Sequence, residues 1–219
     1  IKSPDFIKMH LDNIQKIVIT SGYVKSILPQ LLECGVSREI IEIPPKSFLG
    51  EHPFKELNNK IESAKFLYDL MANNQNSFIV AVGGTALGFA RDKDFIEWDF
   101  DIDLFASSKN EKQLFEFLAS MGCKPFYEGQ SIKGDLKLRN EDIVPFAIDL
   151  FNPDQDEYTD IYEDHVWKWP TNMFTNNSVV NIHGYQLNIP NPVEKYLEGI
   201  YGKTWQTPNS NFNYEDYGN

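Results

Sequence analysis

The stretch that decides the fold is WDFDIDLF, residues 98–105. Asp99, Asp101 and Asp103 take every second position between Trp98, Phe100, Ile102 and Leu104. In a strand, residues two apart point the same way. The pattern therefore predicts a strand over 99–105 with three carboxylates on one face and apolar side chains on the other. Carboxylates so close repel one another, and burying them is costly unless something positive lies between them. A solvated acidic edge strand would account for the pattern taken alone.

Two neighbours argue for chemistry instead. GGTALG, residues 83–88, directly follows SFIVAV (77–82), which reads as a β-branched strand. Paired glycines let a backbone approach a phosphate closely, and the helix start that follows offers free N–H groups. Gly83 and Gly84 supply that turn, and Thr85 can cap the helix or donate to a phosphate oxygen. The second neighbour is Asp149, a carboxylate among the apolar residues of FAIDLF. Three acids, Asp101, Asp103 and Asp149, on two adjacent strands opposite a glycine turn form a site for one or two Mg²⁺ ions, a role Mn²⁺ could also fill. Asp99 completes the cation shell or orients it.

This order of strand, GG(S/T), short helix, D-x-D strand and a later acidic strand resembles the nucleotidyltransferase fold. GGTALGFARDKDFIEWDFDIDLF (83–105) is similar to a narrower group, the LicD/fukutin-like phosphotransferases, which carry G-T-x-L-G-x-x-R and then W-D-x-D-I-D. VNIHGYQLNIPNPVEKYLEGIYGKTWQTP (180–208) matches that family's ending. Phe100 departs from the pattern, since many members have Asp there. The resemblance implies an α+β fold: a mixed sheet flanked by helices, preceded here by a small βαβ segment. It also implies Mg²⁺-dependent transfer of a phosphocholine- or phospho-alditol-like group. The donor would be CDP-linked and the acceptor a sugar hydroxyl of a bacterial surface glycan, of the lipopolysaccharide or capsule kind, with CMP released. Catalysis would fall to Asp101, Asp103 and Asp149, and phosphate binding to Gly83, Gly84, Thr85 and Arg91. Two other readings use the same residues. One is a nucleotidyltransferase that moves NMP and releases pyrophosphate; the other is a non-catalytic nucleotide- or glycan-binding module.

Composition narrows the partners. With a net charge of −12, the chain lacks the basic surface that nucleic-acid polymers need. No apolar run reaches the length of a transmembrane segment. Cys34 and Cys123 lie at the ends of predicted helices and read as small buried thiols. They fit a cytoplasmic protein, or one peripheral at the inner membrane face.

Along the chain, KIVIT (16–20), a helix stopped by Gly35, and IIEIP (40–44) form a βαβ unit. Too small to bury both faces, it reads as the end of a Rossmann-like domain spanning residues 1–45, with other domains of a longer chain before it. PPKSFLGEHPF (44–54) reads as a linker. The LicD-like domain is expected over 55–208, with 209–219 as a tail. It opens on a helix (55–74) whose predicted buried face is Leu57, Ile61, Ala64, Leu67 and Leu70. Further on, 132–139 and 143–151 read as paired strands. The acidic run 152–164 reads as a solvated loop, and VWKWP (166–170) as a surface for interdomain packing or a sugar platform. Residues 179–190 read as a hairpin turning at His183–Gly184, and 191–202 as a helix capped by Asn191. Lys137 and Arg139 read as solvated edge charges.

Overall fold

The structure is a computed structural model describing residues 4–20, 24–44, 52–162, 165–210, 212 and 217. Residues 21–23 of the first predicted helix, 45–51 of the linker, 163–164 of the acidic run and 211, 213–216 and 218–219 of the tail lie outside the described residues. The chain divides into two compact units, Ile1–Gly50 with Asn209–Asp216, and Glu51–Pro208 with Tyr217–Asn219.

The first unit contains α1 (Pro4–His10), β1 (Ile17–Val18), α2 (Val24–Glu33) and β2 (Ile41–Glu42). β1 and β2 pair in parallel, Ile17 opposite Ile41, as a βαβ unit requires. Ile19, Leu31, Cys34, Val36 and Ile41 form its small core.

The second unit opens on α3 (Leu57–Asn73) and then builds a five-stranded sheet. The strands are β3 (Val80–Ala81), β4 (Ile102–Ser107), β5 (Phe126–Glu128), β6 (Ser131–Lys137) and β7 (Ile143–Phe151), in the order β3-β4-β7-β6-β5. Only β4 and β7 run parallel; the other pairs are antiparallel. α4 (Gly83–Arg91) joins β3 to the connector before β4, and α5 (Glu111–Ser120) follows β4. Three further pairs complete the unit: the hairpin β8 (Glu157–Tyr162) and β9 (His165–Pro170), the hairpin β10 (Ser178–Ile182) and β11 (Tyr185–Ile189), and the helices α6 (Asn172–Thr175) and α7 (Val193–Tyr201).

Alternation along β4 sorts its side chains between two cores. Ile102, Leu104 and Ala106 join Phe146 and Ile148 of β7 beneath α3, α5 and the β10–β11 hairpin. Phe105 joins Phe151 on the opposite face, under Trp169, Phe174 and the α7 residues Tyr196, Leu197 and Ile200. Phe54, expected in a linker, is fully buried and stacks on Phe95 at 4.4 Å.

Four expectations need correction. The ladder of β4 begins at Ile102, so Asp99 and Asp101 lie on the approach to the strand rather than in it. α3 does not bury Leu57 or Ile61; both are exposed, while Asn59, Lys60 and Ser63 are buried. The reason is a charge met from far along the chain: Lys60 Nζ lies 2.8 Å from Asp94 Oδ2, and Asp94 Oδ1 lies 2.8 Å from His183 Nε2. Burial acts to raise the Asp94 pKa, but bonds from Lys60, His183 and the Phe95 amide bring it below the ordinary value. This tie pins the 92–97 connector to both α3 and the β10–β11 turn. The acidic run is not all loop, because Glu157–Tyr162 pairs with His165–Pro170, and the tryptophans of β9 pack within the unit. Trp169 is buried against Tyr196, and Gly199 makes room for it: a Cβ there would stand 2.6 Å from the indole. Finally, Pro192, not Asn191, holds the cap position of α7, and Asn191 Nδ2 donates to Asn176 O at 3.0 Å.

Candidate functional site

The site forms where β3 hands over to α4. Val82 N–H donates to Asp103 O at 2.9 Å, placing the glycine turn directly beside the start of β4. Gly83 adopts φ +54, a left-handed conformation that glycine reaches without strain. A Cβ on Gly83 would stand 2.9 Å from Asp103 Oδ2, and one on Gly84 would run into Asp99 Oδ2. The paired glycines thus hold open the space into which two carboxylates point. Asp99 Oδ1 accepts the Phe100 N–H at 3.2 Å, which fixes that carboxylate's orientation. The positive end of the α4 dipole lies at the same place and favours negative charge.

Thr85 is buried and does not cap α4; its Oγ1 accepts the Asp103 N–H at 3.0 Å. It positions the acid instead of meeting a ligand first. The Gly83 N–H is also engaged, donating to the Tyr196 hydroxyl at 3.1 Å. Gly84 and Thr85 N–H lie in the first turn of α4, where a helix leaves its donors without intrahelical partners. Tyr196→Phe should strand the Gly83 N–H in a part-buried setting. We expect a loss of about 1–3 kcal/mol in urea unfolding, together with weaker nucleotide binding as the turn loosens. Unchanged stability would mean that the bond does not hold the turn.

Asp149 is brought to the same face of the sheet. It stands opposite Phe105 of β4, while Asp103 stands opposite Ala147. Strand spacings put the Asp103 and Asp149 Cα atoms roughly 8 Å apart. Burial raises the Asp149 pKa, and the Ser131 hydroxyl and the Lys133 charge offset part of that rise. Ser131 donates directly to Asp149 Oδ1. Asp101 lies half-buried between Asp99 and Asp103 in sequence, at the mouth of β4.

Arg91 lies at the opposite end of α4 from the turn. It ends α4, about 12 Å of helix rise from Gly83. Its guanidinium forks onto the adjacent Asp92, Nε to Oδ1 at 2.8 Å and Nη2 to Oδ2 at 2.7 Å. Lys137 pairs with Glu141, and Arg139 lies 3.8 Å from Glu62, both with exposed side chains as expected. Among the described residues Lys133, ion-paired with Glu128, brings a cation to the acidic face; it stands opposite Ala147 in β6 and so completes the row Lys133, Ala147, Asp103 across three strands.

Sequence reading also missed Asp160. Tyr158 and Asp160 alternate inward along β8, and Tyr158 packs edge-on against Phe105 at 5.1 Å. Burial first, and Asp149 second, push the Asp160 pKa from 3.8 up to about 6. The buried Trp169 indole N–H has no well-formed hydrogen bond of its own but lies toward Asp160 and moderates that rise. Burial likewise raises Tyr158 and Tyr196, with Asp160 contributing to both, so these phenols stay neutral. The alternating pattern of EYTDIY was the available signal. A carboxyl that binds its proton more tightly when folded destabilises the fold as pH rises through the window from 3.8 to about 6. Without metal, Asp160→Asn should therefore raise Tm above that window, and the gain should vanish below it. An equal gain at all pH values would contradict the assignment.

The donor set is all carboxylate oxygen, which suits a hard divalent cation. The two acids at the glycine turn fit such an ion, although no three His, Cys, Asp or Glu side chains among the described residues stand converged to hold one. The sequence pattern for LicD/FKTN/FKRP, nucleotidyltransferase domain, matches residues 78–192, just over half of the chain. The chain belongs to this family. The LicD-family domain therefore spans β3 to β11 and includes Asp99, Asp101, Asp103, Asp149 and Asp160, and membership makes a transferase-type activity the coarse function. No curated protein matches the chain significantly.

Among solved structures, the domain is similar to the lincosamide antibiotic adenylyltransferase LnuA bound to lincomycin, with 16% identity and a TM-score of 0.43, covering 59% of this chain and 78% of that one. It is also similar to an antigenic nucleotidyltransferase-like protein from Paracoccidioides brasiliensis, with 13% identity and a TM-score of 0.40, covering 63% and 62%. A third is ANT(2")-Ia in complex with adenylyl-2"-tobramycin, with 13% identity and a TM-score of 0.36, covering 59% and 69%. Among the described residues, no helix is long and apolar enough to cross a membrane.

Proposed function

We propose that the protein transfers a phosphorylated group, phosphocholine- or phospho-alditol-like, from a CDP-linked donor to a sugar hydroxyl of a glycan, releasing CMP. The observation that carries this reading is the Gly83–Gly84 turn with the Asp99 and Asp103 carboxylates pointing into it, in a chain of the LicD family.

Asp99 and Asp103 at the turn, together with Asp101, would hold Mg²⁺, leaving Asp149 further along the same face as the base. When bound, the ion would offset the charge of the donor diphosphate and of the developing transition state. The chain's own groups do the rest. The Gly84 and Thr85 amides face the diphosphate at the positive end of α4. Lys133, in the same row as Asp103, adds a cation on the far side of Ala147. Asp149 is suited to take the acceptor's proton because burial raises its affinity for one. The acceptor oxygen forms its bond to phosphorus as the bond from phosphorus to CMP breaks. The hydroxyl proton passes to Asp149, and CMP leaves with the electron pair.

The test is product analysis by ³¹P NMR with CDP-choline and CDP-alditols, each with a mixture of glycan acceptors, in Mg²⁺. CMP and a new phosphodiester are expected. Pyrophosphate from CTP, with no CMP from any CDP-linked donor, would sink the reading in favour of NMP transfer.

A further inference from the structure

A cleft of about 620 Å³ opens beyond Asp149, within the range of small-molecule sites. Its place in the sheet gives it meaning. Along the parallel pair β4–β7, Asp103 comes first, Asp149 lies two residues further on, and the cleft begins at Leu150 and Ser108. In the turn before β6 it begins at Gln130, next to the Ser131 that bonds Asp149. Asp149 therefore stands between the glycine turn and the cleft. Tyr158 connects the two: it lines the cleft and packs edge-on against Phe105, the residue opposite Asp149.

The lining has a definite chemistry. Among the described residues its only ionic side chains are Glu111 and Glu157, and Glu157 lies 3.1 Å from Lys168. No lysine or arginine among the described residues lines it, so a diphosphate or a phosphorylated sugar would be disfavoured there. The lining includes Gln130, Asn152 and Gln155, whose amides can both donate and accept, the pairing that neighbouring hydroxyls require; the Asn152 oxygen already accepts the Asp154 N–H at 3.1 Å. Tyr127 adds a flat apolar surface, pre-set by stacking on Phe115 at 4.9 Å.

We infer that this cleft seats the acceptor, and that the unit it holds is a neutral, hydroxyl-rich sugar ring carrying no phosphate. The assignment rests on the transfer reading above for the word acceptor, but the binding site stands on its own lining. The experiment has two arms on the full chain. Saturation-transfer NMR is run with a panel of methyl hexosides and methyl N-acetylhexosaminides, and with hexose 6-phosphates. One or more neutral glycosides should bind, the phosphates should not, and Tyr127→Ala or Gln155→Ala should weaken binding about tenfold. Both positions are exposed, so neither change threatens the fold. No neutral glycoside bound, tighter binding of the phosphates, or binding indifferent to both variants would overturn the assignment. The second arm follows slow CMP release from CDP-choline to water, which both variants should leave unchanged. A fall matching the loss of glycoside binding would place the cleft on the donor side and overturn the acceptor assignment. Absence of CMP release even in the wild type would count against the transfer reading alone, and the glycoside arm would still decide the cleft.

Discussion

Asp103→Asn should cut turnover by about three orders of magnitude or more, the scale on which losing one directed electrostatic group acts. The substitution keeps the shape of the side chain and leaves the backbone bond from Asp103 N–H to Thr85 intact. It removes the charge that points at the glycine turn. Repulsion among Asp99, Asp101 and Asp103 should fall with it, so Tm without metal should stay level or rise. A variant within tenfold of the wild-type rate would remove Asp103 from the chemistry and leave the pattern of 98–105 as a solvated acidic strand.

The second large effect is expected at Gly84. Valine there would drive its side chain into Asp99 Oδ2 and cover the first amides of α4. Affinity for CDP in Mg²⁺ should fall about a hundredfold, some 2.7 kcal/mol, while Tm drops only a few degrees because Gly84 is at the surface of the turn, not in a core. Isothermal titration and thermal unfolding on the same preparation separate the two. Normal CDP affinity in a folded Gly84→Val protein would mean that the turn does not bind phosphate.

Much of this site was legible because its parts are local. Period-two acids, a glycine pair after a strand, and an acid in an apolar strand each lie within a few residues, and the register of β4 and β7 then places Asp149 on the face of Asp103. What was not legible depended on distant partners. Lys60 is buried on α3 only because Asp94, 34 residues away, meets it. Thr85 is turned inward by an amide 18 residues on. Arg91 matched a family pattern, but its nearest acid was its neighbour Asp92, which takes the guanidinium fork. Asp160 was hidden by composition: an acidic run reads as solvated, and the inward alternation of Tyr158 and Asp160 matters only once Phe105 and Phe151 are there to receive it.

The central claim is that the glycine turn and the acids of β4 and β7 form one metal and diphosphate site. A crystal structure with CDP and Mn²⁺, using the anomalous signal of manganese, tests it most directly. A manganese peak held by Asp99 and Asp103 together with Asp101, with Asp149 on the same face and the diphosphate oxygens on the amides of Gly84 and Thr85, is the predicted result. Manganese bound away from these acids, or CDP bound with its diphosphate off the Gly83–Gly84 turn, would contradict it.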